Sequence, residues 1–363
     1  MALGKCDTFE QIMNCRGDIS NDGQYMRRCL ELASLGHSTV SPNPQVGCVL
    51  VHNDRIIGEG FHMKAGEPHA EVLAIDSVKD HSLLKECSLY VNLEPCNHTG
   101  KTPPCTELIL EKSIPRVVIG CIDSHSKVCG SGFTKLRENG VKVVVGVLEK
   151  ESKEINKKFL TYHEKKRSYI LLKWAESADG YLDKHRHQNE PPEKISSTIT
   201  DIYTHKMRTE YDAILVGYNT VKKDNPSLTT RRFPGKNPLR IILDPESELT
   251  SELKVLSDDL PTVVFTKRVE KEEQKVEHIA VGEDFAIPRI LDHLYQREIQ
   301  SLIVEGGAKT LQDFINLEMW DEALIIRGFK NLSAGVKAPQ ISSKTQASLV
   351  LGTDQICKLT NNE

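Results

Sequence analysis

Apolar positions along the chain repeat with a helical period in some stretches and a strand-like period in others, and the two alternate at short intervals. In 24–35, Tyr25, Met26, Cys29, Leu30, Leu32 and Ala33 fall at helical spacing, with Gly36 placed to end the helix. The apolar runs 46–51 and 55–59, joined by His52-Asn53-Asp54, predict a β-hairpin. A helix then opens around Gly66-Glu67-Pro68-His69-Ala70-Glu71 and turns Val72, Leu73, Ile75 and Val78 inward. Strand 88–93, helix 106–111, strand 116–120, helix 133–139 and strand 142–147 follow, which predicts a layered α/β domain over residues 1–150. Residues 149–167 are dense in Lys and Glu with weak periodicity, so 151–167 read as a solvated connecting helix or linker. The alternation resumes over 168–363, with strands at 169–175, 213–216, 239–243, 262–265 and 301–304 and helices near 199–209, 285–296 and 308–317. A second α/β sheet is predicted there, and 185–193, polar and proline-bearing, reads as an exposed loop.

A length of 363 residues suits about two domains, in agreement with that division. Lys and Arg number 47 against 51 Asp and Glu, a net charge of −4, so there is no global basic field to hold a nucleic acid. No apolar run approaches the ~20 residues of a membrane span. The first residues are interrupted by Lys5, Asp7, Glu10 and Arg16 and do not resemble a secretory signal, so a cytoplasmic protein with reduced thiols is expected. Nine of the ten cysteines lie at or before Cys129, which directs the search for thiolate chemistry to the first half.

His69, Cys96 and Cys105 combine borderline and soft ligands at predicted strand-to-helix turns, the donor set of a tetrahedral zinc site. Three protein ligands leave one position open, as catalysis needs; a purely structural site would take a fourth, for which His98 is nearest. Glu71, two residues after His69 on the first turn of the same helix, can carry a proton without ligating the metal. Zinc lowers the pKa of water to about 7, and a neighbouring carboxylate can move the proton to a leaving amine, which fits hydrolytic deamination of a ring carbon.

His69-Ala70-Glu71 followed by Pro95-Cys96 resembles the zinc-dependent nucleobase deaminases, with a longer spacer before Cys105 than their usual pattern. That spacer, together with Ser41-Pro42-Asn43-Pro44 and Gly66-Glu67-Pro68-His69-Ala70-Glu71, is similar to the riboflavin-biosynthesis branch. The resemblance implies a cytidine-deaminase-like three-layer α/β/α domain with Glu71 as catalytic residue and zinc on His69, Cys96 and Cys105. It also implies that Asn43 meets the pyrimidine and that His98 and Lys101 hold substrate or its phosphate. On its own, Asn43 also suits a turn between two prolines, and His98 and Lys101 suit an exposed loop.

In the second half, Glu305-Gly306-Gly307-Ala308 ends a β-rich run and enters a helix, where glycines let a phosphate approach backbone amides. It is not the Rossmann glycine pattern. With the segments 173–180 and 212–231 it resembles the riboflavin-specific reductases, which implies a dihydrofolate-reductase-like α/β domain using NADPH. By that resemblance Thr220, Asp224, Gly307, Ala308, Lys309 and Thr310 face the dinucleotide, and Lys173, Arg208, Leu228, Arg231 and Glu305 hold substrate. Arg208 and Arg231 suit a sugar phosphate because guanidinium forks bind its oxygens bidentately, and Arg232 could replace Arg231. Asp179 flanks the same first turn as Lys173. The run 188–196 lacks a tryptophan often present in members.

The whole chain thus resembles the bacterial bifunctional riboflavin-biosynthesis family, which deaminates 2,5-diamino-6-ribosylamino-4(3H)-pyrimidinone 5′-phosphate and then reduces its ribosyl group to ribityl. A small phosphoribosyl-pyrimidine substrate and a homo-oligomer are the family expectation. Two alternatives remain from the residues: a nucleic-acid or free-nucleobase zinc deaminase with an inactive second domain, and a scaffold with structural zinc. Only 6% aromatic residues and the acidic balance speak against capture of a flipped base.

Overall fold

The computed structural model describes residues 19–37, 39–98, 103–124, 130–187, 190–268, 276–343 and 345–361. The chain divides into two compact units, Met1–Lys166 and Arg167–Glu363.

The first unit runs α1 (Ile19–Ser34), β1 (Gly47–His52), β2 (Arg55–Phe61), α2 (Ala70–Asp76), a 3-10 turn (His81–Glu86), β3 (Ser88–Leu93), α3 (Cys105–Glu111), β4 (Arg116–Cys121), α4 (Ser131–Glu138), β5 (Lys142–Val145), α5 (Glu149–Ile155) and α6 (Lys157–Lys165). The sheet order is β2-β1-β3-β4-β5, antiparallel around β1 and parallel from β3 to β5. Asn53 and Asp54 turn the β1–β2 hairpin with φ of 48° and 57°, the left-handed pair whose twist matches the strands. Alternate residues of β1 feed two cores. Leu50 packs with Ala74, Ile75, Ile109 and Leu136 on one face, and Val49 and Val51 pack with Tyr25, Met26 and Cys29 on the other. Helices therefore cover both faces in three layers. Gly60 lets α2 lie directly on β2, since a Cβ there would come 2.4 Å from the Ala74 nitrogen.

The charged run 149–167 forms two helices that belong to this unit, rather than one solvated connector. Asn156 divides them, and Phe159, Leu160 and Tyr162 are buried, so the long Lys and Glu side chains mark only the outer face of an amphipathic helix.

The second unit runs β6 (Tyr169–Glu176), β7 (Tyr181–Asp183), α7 (Thr198–Thr209), β8 (Ala213–Gly217), α8 (Tyr218–Asp224), β9 (Leu239–Leu243), α9 (Lys254–Ser257), β10 (Thr262–Thr266), β11 (Glu277–Ala280), α10 (Ile287–Gln296), β12 (Ser301–Glu305), α11 (Ala308–Asn316), β13 (Glu322–Arg327), β14 (Val336–Lys337), β15 (Thr345–Leu351) and β16 (Asp354–Thr360). Nine strands form one sheet in the order β11-β10-β9-β8-β12-β6-β13-β16-β15, parallel from β11 to β13 and antiparallel at the C-terminal hairpin. The chain leaves β8 outward to β11 and returns to β12 between β8 and β6, so the carboxyl ends of these three strands flank a crevice. β12 is buried along its whole length, as parallel strands covered on both faces are.

Candidate active sites

In the first unit two helix starts and one strand end meet. His69 caps α2 in extended conformation, Cys105 opens α3, and Cys96 follows the loop after β3. The His69 Nδ1 lies 3.3 Å from Cys105 Sγ and 3.6 Å from Cys96 Sγ, and the Cys105 backbone N–H donates to Cys96 Sγ at 3.3 Å. The three ligand atoms lie within 4.8 Å of one another, and His98 is not among them. One imidazole nitrogen and two sulfurs at this spacing fit zinc with a position left over. The Cys105 side chain, with the His69 ring, pulls the Cys96 thiol down to about 4, favouring the thiolate a metal requires.

Glu71 lies on the first turn of α2 and is buried. Burial pushes its carboxyl above the usual range while His69 works against that rise, the setting of a carboxyl that can both take and return a proton. Asn43 sits in the turn before β1, and its Nδ2 is 2.9 Å from His62 Nε2; the His62 Nδ1 is 3.0 Å from the Pro68 carbonyl. Burial holds His62 below the ordinary histidine value. Glu94, two residues before Cys96, accepts four backbone N–H groups, from Asp123, Gly130, Gly132 and Phe133. Those bonds fasten the ligand turn to the start of α4.

In the second unit a cleft of about 1110 Å³ opens at the carboxyl ends of β6, β8 and β12. Parallel pairing places Glu305 beside Lys173. The Glu305 carboxylate takes a bidentate pair from Arg208, 2.8 Å to each oxygen, and lies 3.5 Å from Lys173 Nζ. Burial alone would raise the Glu305 carboxyl, but Arg208 and Lys173 override it and hold it at about 2. Gly306 and Gly307 have φ of 96° and 70° and pass directly over Thr220. Gly307 caps α11, so the first amides of this helix border the cleft.

A profile of the cytidine and deoxycytidylate deaminase zinc-binding region matches residues 19–121, and one of the RibD C-terminal domain matches residues 168–328. The riboflavin biosynthesis protein RibD of Aquifex aeolicus is 41% identical over 321 residues, 87% of this chain and 89% of the relative. The chain belongs to the RibD family. The diaminohydroxyphosphoribosylaminopyrimidine deaminase/5-amino-6-(5-phosphoribosylamino)uracil reductase of Thermotoga maritima is 37% identical, with a TM-score of 0.85 over 94% of this chain and 98% of that one. RibD of Acinetobacter baumannii is 28% identical, with a TM-score of 0.86 over 95% and 100%. The RibD fold is thus a cytidine-deaminase-like unit followed by a dihydrofolate-reductase-like unit. Its function is riboflavin biosynthesis through deaminase and reductase activities, the first in a zinc-binding region. The nucleic-acid and scaffold alternatives give way to this assignment.

On this RibD chain the residues singled out from the sequence divide as follows. His69, Glu71, Cys96 and Cys105 lie together, with Asn43 reached through His62. His98 is exposed on the loop beyond Cys96, and Lys101 lies outside the described residues. Lys173, Arg208, Thr220, Asp224, Leu228, Glu305, Gly307, Ala308, Lys309 and Thr310 all line the cleft. Arg231 is not part of that wall; its side chain is exposed and approaches the Thr229 hydroxyl at 3.5 Å. Asp179 also lies away from the wall, where its carboxylate accepts N–H groups from Leu332 and Ser333.

Three residues went unassigned in the sequence. His62 is an isolated histidine without telling spacing. Glu94 was visible beside Pro95-Cys96, but its four partners come from a distant loop. Arg186 lines the cleft and pairs with Asp183 and Asp224, so the 185–193 stretch, expected to be an exposed loop, contributes a guanidinium and Pro192 to the wall.

Proposed function

We propose that His69, Cys96 and Cys105 hold the zinc of the deaminase and that Glu71 carries its proton. When bound, zinc supplies a water acidified toward neutral pH. Glu71 would take a proton from the attacking water and return it to the departing amine, so that an amino-bearing ring carbon and water become a carbonyl and ammonia. Asn43 orients the pyrimidine, and His98 and Lys101 serve its phosphate. The buried Glu71 carboxyl beside the three-donor cluster is the observation that carries this reading.

In the reductase, Arg208, Lys173, Leu228 and Glu305 take the deaminated substrate, and Thr220, Asp224, Gly307, Ala308, Lys309 and Thr310 take NADPH; Arg231, outside the cleft wall, is left out of this set. When bound there, NADPH would supply the hydride that reduces C1′ of the ribosyl group, with a proton taken up by the ring oxygen that is released, so that ribosyl becomes ribityl and NADPH becomes NADP⁺. Support comes from the shared cleft, which both the Glu305 cluster with Arg208 and Lys173 and the start of α11 line.

Mass spectrometry of the diaminopyrimidine ribosyl phosphate incubated with zinc-loaded protein tests both halves. Amino-to-oxo exchange without NADPH, and a further gain of two hydrogens only with it, is the expected result; no change in either tube overturns the reading. We also place the enzyme in the cytoplasm, since Cys29, Cys48, Cys87, Cys121 and Cys357 are buried thiols outside any disulfide, which suits a reducing compartment. Homo-oligomerisation is part of the proposal. β15 is the outermost strand of its sheet and exposes Leu349 and Val350, and light scattering of the purified protein checks whether copies associate.

A further inference from the structure

The imidazole of His62 lies between the zinc-donor turn and Asn43. It is 3% exposed and stands edge-on to the His69 ring, with centroids 5.6 Å apart. Its Nδ1 meets the Pro68 carbonyl at 3.0 Å, one residue before the ligand His69. A carbonyl oxygen only accepts, so Nδ1 carries the proton of this bond, and Nε2 of the neutral ring is then an acceptor. Only the N–H side of a carboxamide can face an acceptor, and Asn43 Nδ2 is the atom found there, at 2.9 Å. The reversed amide would set Oδ1 against the lone pair of the buried His62 nitrogen, leaving both groups unsatisfied. The carbonyl sets the tautomer, and the tautomer sets the amide. Among the described residues no partner takes Asn43 Oδ1.

We propose that His62 is a positioning residue of the deaminase, which locks the Asn43 carboxamide with Oδ1 presented to the substrate as an acceptor. The deaminase pocket thereby selects a pyrimidine edge that offers an N–H donor and rejects one that offers only acceptors. The inference rests on the assignment of Asn43 to substrate binding. It adds the residue that determines which hydrogen-bonding pattern that amide shows, and it ties this choice to the backbone of the metal turn.

The test is steady-state deamination by wild type, His62→Phe, His62→Gln, Asn43→Ala and the double variant His62→Phe/Asn43→Ala. Zinc content and NADPH-dependent reduction of the deaminated intermediate are measured on each. His62→Phe keeps a flat ring without the acceptor, and is expected to raise the deaminase KM about tenfold with kcat within about twofold of wild type. Zinc content and reduction stay at wild-type levels. His62→Gln retains an acceptor for Asn43 Nδ2 and is expected to restore most of the lost KM. In the Asn43→Ala background His62→Phe should add nothing, because the group it orients is gone. Equal damage in both backgrounds, or lost zinc with a matching fall in kcat, overturns the proposal and makes His62 a support of the metal turn. A wild type without deaminase turnover would instead overturn the reading of Asn43 on which it rests, an outcome none of the variants can imitate.

Discussion

Glu71 and Glu305 are both buried carboxyls, and their surroundings send them in opposite directions. Around Glu71 burial prevails and raises the carboxyl; around Glu305 two cations prevail and hold it at about 2. The first is suited to exchange protons and the second to remain an anion that fixes Arg208 and Lys173. Glu71→Gln keeps the shape and removes the proton carrier. It should lower deaminase kcat by about 10²–10⁴-fold, with zinc content and NADPH-dependent reduction unchanged. Loss of zinc along with activity would count against the assignment. For Glu305 the folded value lies below the ordinary 4.5, so its contribution to stability is complete above about pH 4.5 and is lost as pH falls toward about 2. Trp174 and Trp320 are both buried in the second unit and are the protein's two tryptophans, so their fluorescence follows that unit alone. Glu305→Gln should destabilise it by about 3 kcal/mol near pH 7, and the gap to wild type should narrow near pH 3. An equal gap at both pH values would show that the carboxylate charge does not hold the cluster.

At the scale of elements, the chemistry sits where strands give way to helices, and those junctions were the most readable part of the sequence. Gly, Pro, Cys and His cluster at turns, and the periods on either side flank them clearly, which is why α2, α3, β12 and α11 fall close to their predicted bounds. What escaped had no local signal. β13 takes its partners from distant parts of the chain, and in the β15–β16 hairpin the edge strand β15 leaves Leu349 and Val350 exposed, so its apolar pattern does not mark a buried face. The Arg208–Glu305 pair joins residues 97 apart, and nothing in either neighbourhood announces the other. The Gly306-Gly307 turn shows the reverse case, a motif weak in sequence that the structure makes exacting. Gly307 has φ of 70°, and a Cβ there would stand 3.3 Å from Thr220 Oγ1 and 3.4 Å from Thr310 Oγ1. Gly307→Ala should cost roughly 1–2 kcal/mol in strain and weaken NADPH binding about tenfold or more, while deamination proceeds as before. Titration of the variant with NADPH by fluorescence reads the loss; wild-type affinity would remove this turn from the cofactor site.

Across the whole molecule the two chemistries draw on separate materials. The three proposed zinc donors and Glu71 lie before Lys166, and the entire wall of the cleft comes from residues after Arg167. The cores divide in the same way: Leu50, Ile75 and Ile109 belong to the first unit, and Leu172, Leu215 and Val304 to the second. Removing the metal should therefore act on one step only. Cys96 and Cys105 join the β3 turn to α3, so stripping zinc loosens that junction, whereas the candidate metal group found among the described residues includes neither Glu305 nor the Gly307 turn. Protein dialysed against a chelator should fail to deaminate the diaminopyrimidine substrate, yet reduce the supplied deaminated intermediate with NADPH at close to the untreated rate. Added zinc should restore the first step without altering the second. If the chelator abolished both steps, with the tryptophan fluorescence of the second unit unchanged, the reductase would have to depend on the metal site for something other than its fold, and the separation argued from these two sets of residues would fail.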